Sequence, residues 1–129
     1  MLIATWNLNH RVGKTRFRAE AVNAVAALQA DVVVLTEYYP GYYPRDYESI
    51  FRADLSKAGW HLRASEIVGE IANRVLIASR FALEPFPLRL PDFSFTDARY
   101  VTEADGFQLA GTAGAISDHA AVLARVQRR

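Results

Sequence analysis

The chain contains no cysteine among its 129 residues. Disulfides, thiolate zinc sites and a cysteine nucleophile are therefore excluded. Long apolar runs are also lacking, since none approaches the roughly 20 residues needed to cross a bilayer. The N-terminus has no basic segment leading into a long apolar one, so it lacks the pattern of a signal peptide. These absences fit a cytoplasmic protein, which is the expectation. Net charge is scarce as well, at +1, so the chain as a whole implies no nucleic-acid partner. Acids are missing locally between His10 and Arg18, where Arg11, Lys14, Arg16 and Arg18 stand. Such a patch attracts phosphate. It serves equally as a solvated loop and helix start, and both readings stand. There is no repeat, low-complexity tract or linker, so residues 1–129 are read as a single domain.

Hydrophobic residues make up 51% and charged residues 22%, the balance of a globular chain with a real core. Leu2 to Trp6 reads as a buried strand that runs into the polar stretch from Asn7 to His10. Gly13 marks a loop, and Thr15 is the expected helix N-cap. Phe17, Ala21, Val25 and Leu28, with Ala24 between them, fall at helical spacing. Val32 to Thr36 is apolar and β-branched, the pattern of a strand covered on both faces. Tyr38-Tyr39-Pro40-Gly41-Tyr42-Tyr43-Pro44 reads as a loop. Arg45 to Ala58 follows as a helix with Tyr47, Ile50, Phe51, Leu55 and Ala58 on one face, and Gly59 as its C-cap. Trp60 to Glu66 and Arg74 to Ser79 read as strands. Pro85, Pro87 and Pro91 argue against regular structure early in the next segment. Short strands are expected at Arg99 to Thr102 and Phe107 to Ala110, and the last strand at His119 to Val126.

Three of these strands deliver polar groups at one end. Asn7 offers a carbonyl oxygen and Glu37 a carboxylate, and hard oxygen ligands in small number suit Mg²⁺ or Mn²⁺. His119 has the chemistry of a general base or an electrophile near neutral pH. Asp118 is a candidate ligand or hydrogen-bond partner. One metal, one carboxylate, one histidine and nearby basic residues compose a phosphoester hydrolase site. Each piece also has a plain structural use: Asn7 and Asn9 hold a turn, Glu37 is a solvated strand-end charge, Ser117-Asp118 is a loop bond and His119 sits in the core. Their joint placement at strand ends favours the site.

The residues also resemble the endonuclease/exonuclease/phosphatase superfamily, which includes DNase I-like and exonuclease III-like enzymes. Ile3-Ala4-Thr5-Trp6-Asn7-Leu8-Asn9 resembles the family's first strand, whose Asn organises the metal site. Val33-Val34-Leu35-Thr36-Glu37 resembles the second, whose Glu is the principal metal ligand. Asn73-Arg74-Val75-Leu76-Ile77-Ala78-Ser79-Arg80 is similar to a strand ending in Ser-Arg. Ser117-Asp118-His119-Ala120-Ala121-Val122 resembles the closing signature, with Asp by the metal and His at the phosphate. The resemblance implies a truncated two-layer α/β sandwich of the DNase I-like type, a mixed sheet with helices on one face. It implies Mg²⁺ or Mn²⁺ on Glu37, Asn7 and Asp118, and catalysis by His119, Asp118 and Asn7. Arg11, Lys14 and Arg16 are the candidates for substrate phosphate. Asn9, Asn73 and Ser117 are expected to support these groups from behind.

Two family motifs are missing. No Thr-His-Leu-like motif is present, and the nearest match to Gly-Asp-Phe-Asn is Pro91-Asp92-Phe93-Ser94. About half of a family domain is thus absent, which leaves an apolar sheet face to be covered by residues 80 to 116 or by another chain. A homodimer is one expectation. Three functional readings follow: a metal-dependent phosphodiesterase or nuclease, a non-catalytic module that binds phosphate or nucleic acid, and a partner-binding module that uses the tyrosines from Tyr38 to Tyr43.

Overall fold

The computed structural model describes residues 1–9, 15–38, 46–65, 74–83, 93–110 and 120–128. Among them run β1 (Leu2–Asn7), α1 (Thr15–Ala27), β2 (Val32–Thr36), α2 (Asp46–Lys57), β3 (His61–Ala64), β4 (Leu76–Ser79), β5 (Phe93–Val101), β6 (Glu103–Ala104), β7 (Phe107–Gln108) and β8 (Ala121–Arg128). The fold is mixed α/β, with two helices and a six-stranded sheet of order β3-β4-β2-β1-β8-β5. Among the described strands only β1 and β2 pair in parallel, and α1 lies in the crossover that parallel pairing requires. The other sheet neighbours are antiparallel. No helix among the described residues is long and apolar enough to cross a membrane.

Alternation along the strands divides the sheet into two faces. Ala4, Trp6, Val33, Leu35, Leu76, Ala78, Ala121 and Leu123 share one buried cluster with Ala21, Ala24, Val25 and Leu28 of α1 and Phe51 and Leu55 of α2. Both helices therefore cover the same face. The small hairpin β6–β7 joins them there through Ala104 and Phe107. Its turn is Asp105-Gly106, both in the left-handed region at φ 45 and 79, as an Asp-Gly hairpin turn requires.

Local chemistry ends each helix. α1 stops at Gln29, whose φ of 51 turns the chain left-handed. α2 stops at Gly59, as its glycine predicts. The Trp60 N–H donates to Leu55 O at 3.1 Å and the Gly59 N–H to Ser56 O at 3.0 Å. This pair of bonds is the Schellman motif, and the buried Trp60 and Leu55 supply its apolar contact. The Arg80 guanidinium then stacks 3.8 Å over the Trp60 ring and donates to Ala58 O at 3.1 Å. At the same end of the sheet, Asp31 ties β1 to β2. Its carboxylate accepts the Leu2 N–H at 2.7 Å, and its own N–H donates to Leu2 O at 2.9 Å.

Several expectations are corrected. The apolar stripe of α2 is narrower than its spacing implies: Phe51 and Leu55 are fully buried, but Ile50 is 40% exposed and Ala58 is exposed. Tyr47 lies beyond the described side chains. The strand β5 has nine residues and starts at Phe93, where the sequence reading has a short strand from Arg99. A bulge between Thr96 and Arg99, with Asp97 left-handed at φ 53, absorbs the break in alternation.

Candidate functional site

The strand directions bring one end of all six strands of the described sheet to one edge, β5 ending there at Val101. β1 ends there at Asn7 and β2 at Thr36, which pair in register. β3 ends at Ala64, and β4 and β8 begin there at Leu76 and Ala121. The carboxyl ends of adjacent parallel strands are the usual place for a ligand in α/β sheets.

Asn7 ends β1 at this edge, and Glu37 follows the end of the neighbouring β2. Asn7 is half-buried, and its Oδ1 accepts the backbone N–H of Asn9 at 2.8 Å. That bond forms the turn its residue type predicts. It also pulls Asn9 into the left-handed region, at φ 47. Glu37 follows β2 with φ 49 and is half-buried. A glutamate at positive φ is uncommon and carries a backbone cost. Its neighbours on both sides fix it. The Leu8 N–H donates to Thr36 O at 3.0 Å, and the Tyr38 N–H donates to Arg74 O at 3.2 Å. Asn9 tolerates the left-handed region as asparagines do, so Glu37 is the residue at this edge whose backbone carries the cost.

Tyr38 is fully buried, with its ring 5.9 Å from that of Phe51. It is a core residue, which removes it from the tyrosines offered to a partner. Residues 39 to 43 lie outside the described residues. Arg74 is the residue the sequence reading passes over. It is 7% exposed and lies 5.8 Å over the Tyr38 ring. Its Nε and Nη2 donate to Ser65 O at 3.2 and 2.9 Å. The guanidinium therefore joins β3 to β4 behind Glu37. Its signal in the sequence is a lone charge at the head of the apolar run Val75 to Ala78.

The remaining candidates have no described surroundings. Arg11, Lys14, Asn73, Ser117, Asp118 and His119 lie outside the described residues, and Arg16 is described only as backbone within α1. Of the closing signature, Ala120 to Val122 are described, leading into and opening β8 at this same edge. Among the described residues no group of three His, Asp or Glu side chains is arranged to hold a metal.

No protein-family model matches this chain, and no curated protein matches it. A cavity of about 580 Å³ lined by Arg52, Ser56, Trp60 and His61 lies at the opposite edge. It borders the carbonyl end of α2, where Arg80 already serves as the cap.

Proposed function

We propose that this chain is a divalent-metal-dependent phosphoester hydrolase of the phosphodiesterase or nuclease kind, built on a truncated DNase I-like sandwich. One observation carries the reading. Asn7 ends β1 opposite Thr36, the last residue of the parallel β2, and Glu37 follows Thr36 directly with its backbone held left-handed at φ 49. A carboxylate beside an amide oxygen fits a hard dication that keeps most of its waters and meets substrate phosphate directly. Glu37 would be the principal ligand, with Asn7 and Asp118 beside it. Bound Mg²⁺ or Mn²⁺ would polarise the phosphoryl oxygens and favour an attacking hydroxide. In this reading His119 handles the proton at the phosphate. Arg11, Lys14 and Arg16 attract the substrate, and Asn9, Asn73 and Ser117 hold the ligands in place. The substrate is a phosphodiester, nucleic acid included, and the setting is cytoplasmic.

A second reading is favoured by the bond between Asn7 Oδ1 and the Asn9 N–H. It gives Asn7 a purely structural use and fits a module that binds phosphate or nucleic acid without turning it over. Titration with Mn²⁺, followed by electron paramagnetic resonance, tests the metal step. Wild type should bind Mn²⁺, and Glu37→Gln should weaken binding about 10-fold or more. Equal affinity in the two proteins would reject Glu37 as the ligand.

A further inference from the structure

The buried cluster takes its sheet residues from one face only. Every second residue points the other way, and among the described residues none of these belongs to the cluster, although Ser79 and Val126 on that face are buried. One row on that second face crosses all six strands: Arg63, Ile77, Val34, Thr5, Val122 and Tyr100. Its centre is apolar and half-buried, apart from exposed Thr5. Arg63 is exposed at one end and Tyr100 is 82% exposed at the other. The next row runs from exposed His61 through buried Ser79 to Val32, Ile3 and Ala124. β1 and β2 are parallel, and parallel strands are normally covered on both faces.

We propose that this face is the contact surface between two copies of this chain, packed sheet on sheet. The area fits. Strands about 4.8 Å apart, some five residues deep at ~3.3 Å each, give six strands a face of roughly 500 Å². A pair therefore buries about 1,000 Å², the lower bound for a specific interface and short of the ~1,600 Å² standard. The row is also self-complementary in one orientation. A two-fold axis along the strands sets Arg63 over the partner's Tyr100, a cation over a ring face. Ile77 then meets the partner's Val122, and Val34 the partner's Thr5. A two-fold axis across the strands would instead set Arg63 against the partner's Arg63, where like charges repel. The first orientation leaves strand direction unchanged. Both candidate sites then lie at the same edge of the pair.

Sedimentation velocity from about 1 µM to about 1 mM tests the contact. Wild type should pass from 14.4 kDa to twice that mass as concentration rises. Thr5→Lys is the discriminating variant, because Thr5 is already exposed and a lysine there keeps its charge in water in the single copy. In the pair that charge is buried against valine, so the dissociation constant should rise about tenfold or more with the far-UV spectrum unchanged. Tyr100→Glu, at an 82% exposed edge position, should weaken the pair without touching the core. A 14.4 kDa species at every concentration would overturn the proposal. So would a dimer whose constant neither variant moves.

Discussion

Glu37→Gly and Glu37→Ala separate backbone strain from chemistry at the strand edge. Both delete the carboxylate and every interaction it makes, so those losses cancel when the two are compared. What differs is the response to φ 49. Alanine keeps the clash of Cβ with the backbone, worth about 1–2 kcal/mol for a left-handed residue. Glycine escapes it but loses about 0.5–1 kcal/mol through the greater freedom of its unfolded chain. The glycine variant should therefore be the more stable by roughly 0.5–1 kcal/mol. Unfolding entropy near 2.1 cal/mol/K per residue gives about 0.27 kcal/mol/K for 129 residues unfolding together. The glycine variant should then melt about 2–4 °C above the alanine variant. Paired calorimetric scans at equal concentration are the assay. Both variants should also lose Mn²⁺ binding. The strain argument is refuted if alanine equals or exceeds glycine in Tm.

Three further outcomes follow from the packing. Leu35→Ala should cost about 2–5 kcal/mol in urea unfolding, because Leu35 is fully buried and its strand neighbours are Trp6 and Leu76; a cost under ~1 kcal/mol would mean the row collapses onto the gap. Gly59→Ala should cost about 1 kcal/mol by the same measurement, since Gly59 stands at φ 84 in the helix cap. No change would remove the Schellman cap from the account. Arg74→Lys should not restore the stability lost in Arg74→Ala, because one ammonium does not reproduce two donors in a fixed fork to Ser65 O. Full rescue by lysine would reduce Arg74 to a point charge.

Where one period dominates a segment, the sequence is a sound guide. Ala21, Ala24, Val25 and Leu28 repeat at helical spacing and line the buried face of α1. Val32 to Leu35 are continuously apolar and form the interior strand β2. Gly59 marks the end of α2 because few other residues tolerate its φ. The nine-residue β5 was hidden, since the prolines before it and Asp97 within it break the pattern, and a bulge absorbs the second break. Ile50 has helical spacing but is 40% exposed, while Phe51 and Leu55 are the α2 residues in the cluster among the described side chains. At the site, the polar residues after two apolar runs marked Asn7 and Glu37 as strand-end groups, and Asn7 ends β1 while Glu37 follows β2. They did not predict the left-handed backbone of Glu37 or the buried guanidinium of Arg74. Both depend on hydrogen bonds between strands far apart in the chain.

The most direct test of a metal-dependent hydrolase is cleavage of a generic phosphodiester and of labelled DNA by wild type and Glu37→Gln, each with Mg²⁺ or Mn²⁺ and with chelator. Turnover that needs the metal and vanishes in Glu37→Gln is the predicted result. Turnover that survives in Glu37→Gln, or no turnover by wild type on either substrate, would contradict it.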